Sequence, residues 1–175
     1  MLTVLLLRHA KSNWDTLSLP DYDRPLAKRG QKAAPLMGAA IARLDRKPDL
    51  ILCSGAARTR ETLSLALPAL GTPAPEVIYD DAIYMATPAT LMTLLRKLPA
   101  GTNAPKTVMV VGHNPGLEEL AELLVGGGDK DAQELMADKF PTGALAVFTF
   151  DVPRWADVAL GTGRLTHFIT PARLT

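Results

Sequence analysis

The most constraining feature of this sequence is a pattern that recurs three times: a short, consecutively apolar run that stops abruptly at a charged or small polar residue. Thr3-Val4-Leu5-Leu6-Leu7 stops at Arg8-His9, Asp49-Leu50-Ile51-Leu52-Cys53 at Ser54-Gly55, and Thr107-Val108-Met109-Val110-Val111 at Gly112-His113-Asn114. Runs this short, apolar on both faces, suit strands buried between helical layers. Segments of helical spacing lie between them. Apolar or small residues recur at 26, 30, 33, 34, 37, 40, 41 and 44, which is a helical period. Pro35 falls inside that segment, where proline in a regular turn costs about 3 kcal/mol, and predicts a bend or a late start. Further helices are expected from about Ala57 to Leu67, from Pro88 to Leu98, and from Pro115 to about Val125, where Gly126-Gly127-Gly128 reads as a helix stop. Glu76 to Tyr79 reads as another strand. Ala144 to Phe150 and Leu165 to Thr170 add two late ones, flanking a polar stretch with no helical pattern. This alternation predicts an α/β fold: a three-layer sandwich with a mostly parallel central sheet of about six strands and helices on both faces. No linker-like shift or repeat interrupts it, so residues 1–175 read as a single domain.

Composition excludes several function classes. Lys and Arg number 19 against 18 Asp and Glu, too balanced for a nucleic-acid protein or a polybasic membrane binder, although a small positive pocket remains allowed. The longest apolar run is far short of the ~20 residues of a membrane span, and no basic start with a cleavage site is visible. The single cysteine, Cys53, excludes an internal disulfide framework and any multi-cysteine metal site. The expectation is a cytoplasmic protein with no metal and no cofactor.

The three histidines are not equivalent. His9 and His113 directly follow predicted strands, at the carboxyl ends where ligand sites of open α/β sheets gather. His167 lies inside a late strand with nothing catalytic around it and reads as structural. After the second strand, Ser54 and Gly55 allow a tight turn, and Arg58 falls near a helix start at the same sheet edge. An arginine fork beside a helix N-terminus suits an oxyanion, phosphate above all.

Leu7-Arg8-His9-Ala10-Lys11-Ser12-Asn13-Trp14, the turn Ser54-x-x-x-Arg58-Thr59-x-x-Thr62, and Gly112-His113-Asn114 together resemble the histidine phosphatase superfamily, with its phosphoglycerate mutase-like fold. The alanine after Arg8-His9, the Lys-Ser-x-Trp continuation, Arg24-Pro25-Leu26 followed by Gly30, and the compact length are most similar to the SixA group of phosphohistidine phosphatases. The resemblance implies that His9 is the nucleophile accepting the phosphoryl group, and that Arg8, Arg58 and His113 hold phosphate oxygens. Ser12, Asn13 and Asn114 are further candidates for phosphate contact. Neutral imidazole is a competent nucleophile near pH 7, and phosphoryl transfer then needs in-line positioning and neutralisation of spread negative charge.

Two departures from the family pattern matter. Asp15 stands where the mutase branch carries asparagine; a carboxylate there repels phosphate, so Asp15 is not assigned as a ligand. Met85 stands where many members carry a glutamate general acid, and a thioether cannot donate a proton. Asp80 and Asp81 are nearby but read as polar residues ending a strand; Glu118 and Glu119, after His113, are the other carboxyls that could supply a proton. A cysteine phosphatase is excluded by spacing, because the four residues between Cys53 and Arg58 are one too few for its loop. Asp21-Tyr22-Asp23 follows a polar loop rather than the buried strand that an aspartyl-phosphate enzyme needs. Gly126-Gly127-Gly128 lacks the Lys-Ser/Thr of a nucleotide-binding loop. The implied partner is a protein carrying phosphohistidine or a small phosphorylated substrate. Alternatives within this frame are a phosphatase of small phosphate esters, or a phosphate-binding or phosphohistidine-binding module that has lost turnover.

Overall fold

The computed structural model describes residues 1–175. Seven strands form one sheet, in the order β3-β2-β4-β1-β6-β7-β5. They are β1 (Leu2–Arg8), β2 (Leu50–Cys53), β3 (Glu76–Tyr79), β4 (Thr107–Gly112), β5 (Val125–Gly128), β6 (Leu145–Phe150) and β7 (Gly163–Ile169). The helices are α1 (Lys28–Ala42), α2 (Ala57–Ala66), α3 (Pro88–Arg96), α4 (Gly116–Leu124) and α5 (Lys130–Asp138). β6 alone runs against the rest, antiparallel to both β1 and β7, while β1, β2, β3 and β4 pair parallel to one another.

The consecutive apolar runs have the reason expected of them. In β1, Leu2, Val4 and Leu6 face one core, which also takes Leu91 of α3 and Leu117 and Leu120 of α4. Leu5 and Leu7 face the other, against Met37 and Ile41 of α1 and Leu63 of α2. β1, β2 and β4 bury both faces because a helical layer covers each. Trp155 closes the larger core, its indole N–H donating to the Pro105 carbonyl at 2.7 Å.

The expected sandwich with its mostly parallel sheet is present, with three differences in detail. The sheet has seven strands, one more than the segments read in advance. The extra one is β5, where Gly126-Gly127-Gly128 was expected only to stop a helix; α4 does end at Leu124, and the glycines then pair with β7. A Cβ at Gly128 would run into the Leu165 carbonyl oxygen, so the glycines that let this strand pair with β7 also leave it without an apolar pattern. The segment before β6, for which no element was expected, contains α5. Asp129 caps it, accepting from the Ala132 amide at 2.8 Å, and Ala132 and Met136 are its buried positions. Finally, α1 does not start late: it begins at Lys28 and runs through Pro35, because the buried face that carries Gly30, Ala34, Met37 and Ile41 outweighs one lost backbone bond. No helix is long and apolar enough to cross a membrane.

Candidate active site

β1, β2 and β4 end together, so parallel pairing alone gathers their three motifs at one sheet edge: Arg8 is in register with Gly112, and Cys53 with Val111. The chain then turns, and local hydrogen bonds fix what it presents. The Thr59 hydroxyl donates to the carbonyl of Ser54 at 2.9 Å, tying the turn to the first coil of α2. The Thr62 hydroxyl donates to the Arg58 carbonyl at 2.7 Å and accepts from the Ala10 amide at 3.0 Å, which joins the segment after β1 to α2. At Gly55 a Cβ would meet the Asp81 carboxylate and the Tyr22 hydroxyl, so a larger residue would push that pair aside.

His9 is 6% exposed. Its Nδ1 lies 2.7 Å from its neighbour's carbonyl, that of Ala10. A carbonyl can only accept, so Nδ1 carries the proton, and Nε2, which makes no hydrogen bond to the protein, keeps its lone pair. The His113 ring centroid is 5.4 Å away. Its Nε2 lies 2.8 Å from the Ser54 hydroxyl, which can donate to it and so leave the proton on Nδ1. That nitrogen is buried and unpartnered, as are Nε of Arg8 and Nε of Arg58. Buried donors without partners are rare enough to require an explanation, and Arg8, Arg58 and His113 are the groups near enough to His9 to bear on its charge. Arg8 is steered by its Nη1 donating to the Phe140 carbonyl at 2.9 Å.

Arg58 is held by a residue that sequence reasoning set aside. Its Nη1 donates to the Asp21 carbonyl at 2.7 Å and its Nη2 to Asp21 Oδ2 at 3.0 Å. The same carboxylate accepts from Tyr84 Oη at 2.5 Å and from Arg24 Nη2 at 2.7 Å. The Tyr84 hydroxyl foremost, with the two arginines, holds the Asp21 carboxyl well below the usual carboxylate range. Asp21 and Arg24 stand three residues apart, and that pairing was the visible signal; Tyr84 left none. Tyr84 also meets the His113 ring edge-on at 5.3 Å.

Ser12, Asn13 and Asn114 each make a hydrogen bond within the protein, and Asn114 shares the Phe140 carbonyl with Arg8. The Ser12 hydroxyl accepts from Arg24 Nη1, Asn13 Oδ1 accepts from the Asp15 amide at 2.7 Å, and Asn114 Nδ2 donates to the Phe140 carbonyl at 3.1 Å and to Glu118 Oε2 at 3.2 Å. Asp80 caps the turn after β3, accepting from the Ala82 amide at 2.8 Å. Met85 has φ of 50°, an unusual left-handed conformation for a side-chain-bearing residue, and its Sδ lies 4.0 Å from Arg58 Nη2. Burial pushes the Cys53 thiol up to about 12, so a thiolate is not available at neutral pH. His167 is exposed on β7, beside the Thr166 hydroxyl at 3.0 Å.

Comparison with known proteins agrees with this geometry. The family model of the histidine phosphatase superfamily, branch 1, matches residues 4–83. A solved structure from Agrobacterium tumefaciens, assigned as the phosphohistidine phosphatase SixA, is 32% identical, covers 97% of this chain and 98% of its own, and superposes with a TM-score of 0.78. The chain belongs to the histidine phosphatase superfamily. A second structure with the same assignment, from Nakamurella multipartitia, is 29% identical over 97% of this chain and 96% of its own, with a TM-score of 0.81. An uncharacterised Mycobacterium tuberculosis protein is 36% identical over 167 residues, 94% of this chain and 99% of that protein. The superfamily match holds Arg8, His9 and Arg58. His113 lies beyond it and joins them through the fold.

Both site histidines are neutral at ordinary pH. Burial foremost, then the guanidinium groups nearby, lowers His9 to about 3 and His113 to about 4. In the unfolded chain both take up a proton near pH 6.5. Below that pH the unfolded state therefore binds more protons than the folded one, and stability falls as pH falls from about 6.5 toward 4. At pH 5 each histidine costs about 2 kcal/mol by linkage. Chemical denaturation between pH 7 and 5 should show this loss, and it should shrink in His113→Ala. A flat profile over that window would contradict neutral, buried histidines.

Proposed function

We propose that residues 1–175 form one histidine phosphatase domain that removes phosphoryl groups from phosphohistidine on a signalling protein, without metal, through an intermediate on His9. The observation that carries the reading is the free Nε2 of neutral, buried His9, with Arg8, Arg58 and His113 near enough to bear on its charge and each keeping an unpartnered buried N–H. In the first step Nε2 attacks phosphorus, the P–N bond of the substrate breaks, and the departing imidazole nitrogen takes a proton from solvent water. The His9 ring becomes cationic, and the Ala10 carbonyl, already accepting from Nδ1, stabilises that charge. In the second step water attacks phosphorus and the bond to His9 breaks. Inorganic phosphate leaves and His9 returns to neutral. Arg8 and Arg58 supply positive charge for the equatorial oxygens throughout.

Met85 supports the choice of substrate. Expelling an alkoxide needs a positioned acid worth ~10²–10⁴-fold, whereas an imidazole is protonated near neutral pH and departs readily. The position beside Arg58 carries a thioether in place of a carboxyl. The wild type is therefore expected to hydrolyse phosphohistidine and aryl phosphates at least ~10²-fold faster than alkyl phosphates. Met85→Glu should raise alkyl-phosphate hydrolysis more than phosphohistidine hydrolysis. Equal wild-type rates on all three substrates would overturn the reading.

One observation favours a phosphatase of small esters as the second reading. Glu118, fixed by Asn114 at 3.2 Å, lies close enough to Arg8 to oppose the lowering of its pKa by burial, and so stands near the phosphate donors as a carboxyl. Under that reading Glu118→Gln abolishes alkyl-ester hydrolysis and spares phosphohistidine.

A further inference from the structure

A second concavity opens at the same sheet edge, on the side of β6 and β7. Its volume is about 670 Å³, within the range of built ligand sites. β6 starts at this edge and β7 ends there, so the loop 139–144 and the segment after Ile169 both reach it. The loop is shared with the candidate active site. Its Phe140 carbonyl receives Arg8 Nη1, and its Gly143 amide donates to the His9 carbonyl at 2.9 Å. Pro141 and Thr142, between those two, line the concavity. One loop separates the two sites.

The charge of this cleft is unlike that of the chain. Lys11, Arg29, Lys32, Lys139 and Arg173 line it: five of the 19 Lys and Arg, against Asp138, one of the 18 Asp and Glu. None of the five forms an ion pair; the three pairs in the molecule join Asp21 to Arg24 and to Arg58, and Arg154 to Asp157. Five uncompensated cations held together repel one another and are relieved by an anionic occupant. Leu36, Phe168 and Pro171 add apolar surface among them.

We infer that this cleft binds an acidic, partly apolar stretch of the same protein whose phosphohistidine enters the candidate active site; the inference rests on the function proposed above. The five cations come from four separate elements: the segment after β1, α1, the loop before β6 and the segment after β7. Carboxylates spaced along a chain match such dispersed charges. A second phosphate group matches them less well, because no glycine lines the cleft to open the backbone amides to it.

Two measurements test this and separate it from the proposed function. In the first, a fluorescein-labelled peptide of alternating Glu and Leu is titrated with the protein and followed by anisotropy, which needs no turnover. Binding should weaken steeply with salt, and by ~10-fold or more in Arg29→Glu/Lys32→Glu and in the independent variant Arg173→Glu. The Gln-for-Glu peptide should not bind. In the second, kcat/KM for a phosphohistidine peptide with an acidic flank is divided by that for phosphoramidate. This ratio should fall ~10-fold in the same variants. If neither phosphorylated substrate is hydrolysed, the proposed function fails while the anisotropy still reads the cleft. Equal binding of the two peptides, or binding indifferent to charge reversal, overturns the inference. So does displacement of the acidic peptide by ADP at concentrations well below the peptide's own Kd, which would assign the cleft to a small polyanion.

Discussion

Replacing His9 with alanine is expected to lower phosphate release by ~10⁴-fold or more, because the step that splits one hard displacement into two easier ones disappears. The fold should survive. The backbone bonds of residue 9, its amide to the Gly112 carbonyl at 3.1 Å and its carbonyl from the Gly143 amide at 2.9 Å, do not involve the ring. Arg8, Arg58 and His113 remain, so vanadate or phosphate should still bind within ~10-fold of the wild-type affinity. Rapid acid-free quenching of the wild type during turnover should trap a phosphoryl group that is stable in base and lost in acid, and the variant should show none. Turnover by His9→Ala within tenfold of wild type, or a wild type that never carries phosphate, would end this mechanism. A protein that binds phosphohistidine peptides without either trapping or releasing phosphate would be the binding module instead.

Arg58→Ala is expected to cost ~10²–10³-fold in kcat/KM, the usual loss when one donor to a developing oxyanion is removed. Inhibition by vanadate should weaken by roughly tenfold or more. Arg58→Lys should recover little of this. Both terminal nitrogens of Arg58 are spent on Asp21, one on its carbonyl and one on its carboxylate, and an ammonium cannot span those two points while also facing phosphate. The control is Arg60→Ala, two residues along α2, whose Nε donates to the Gly55 carbonyl and whose guanidinium stacks over Tyr79 at 4.1 Å. It should change kcat/KM only slightly. Arg58→Ala within threefold of wild type would remove Arg58 from the phosphate-binding set.

What could be read in advance follows from distance along the chain. Arg8-His9, Ser54 to Thr62 and Gly112-His113 each sit directly after an apolar run, and parallel strand pairing brings run ends together whatever the loops do. Asp21, Arg24 and Tyr84 were not readable in that way. Asp21 meets Arg58 across 37 positions and Tyr84 across 63, through loops whose course depends on the whole molecule. The sheet was underestimated where side chains vanish, at Gly126 to Gly128. α5 was overlooked because only Ala132 and Met136 are buried on it, too few to stand out as a period, although its Asp129 cap was there to be seen.

The arrangement around Asp21 has a consequence for how the pocket empties. Arg8, Arg24 and Arg58 bring three positive charges and the two histidines bring none, while Asp21 and, beside Arg8, Glu118 set negative charge against them. In the reaction proposed above the pocket therefore meets a phosphate dianion with less positive charge than its guanidinium groups alone would supply. A pocket of three unopposed guanidinium groups would grip inorganic phosphate harder than the transferring group, and turnover would stall on the product. Asp21→Asn, which keeps the shape and removes the counter-charge, should therefore bind phosphate more tightly and release it more slowly. The internal carboxylate makes a strong anion site reversible.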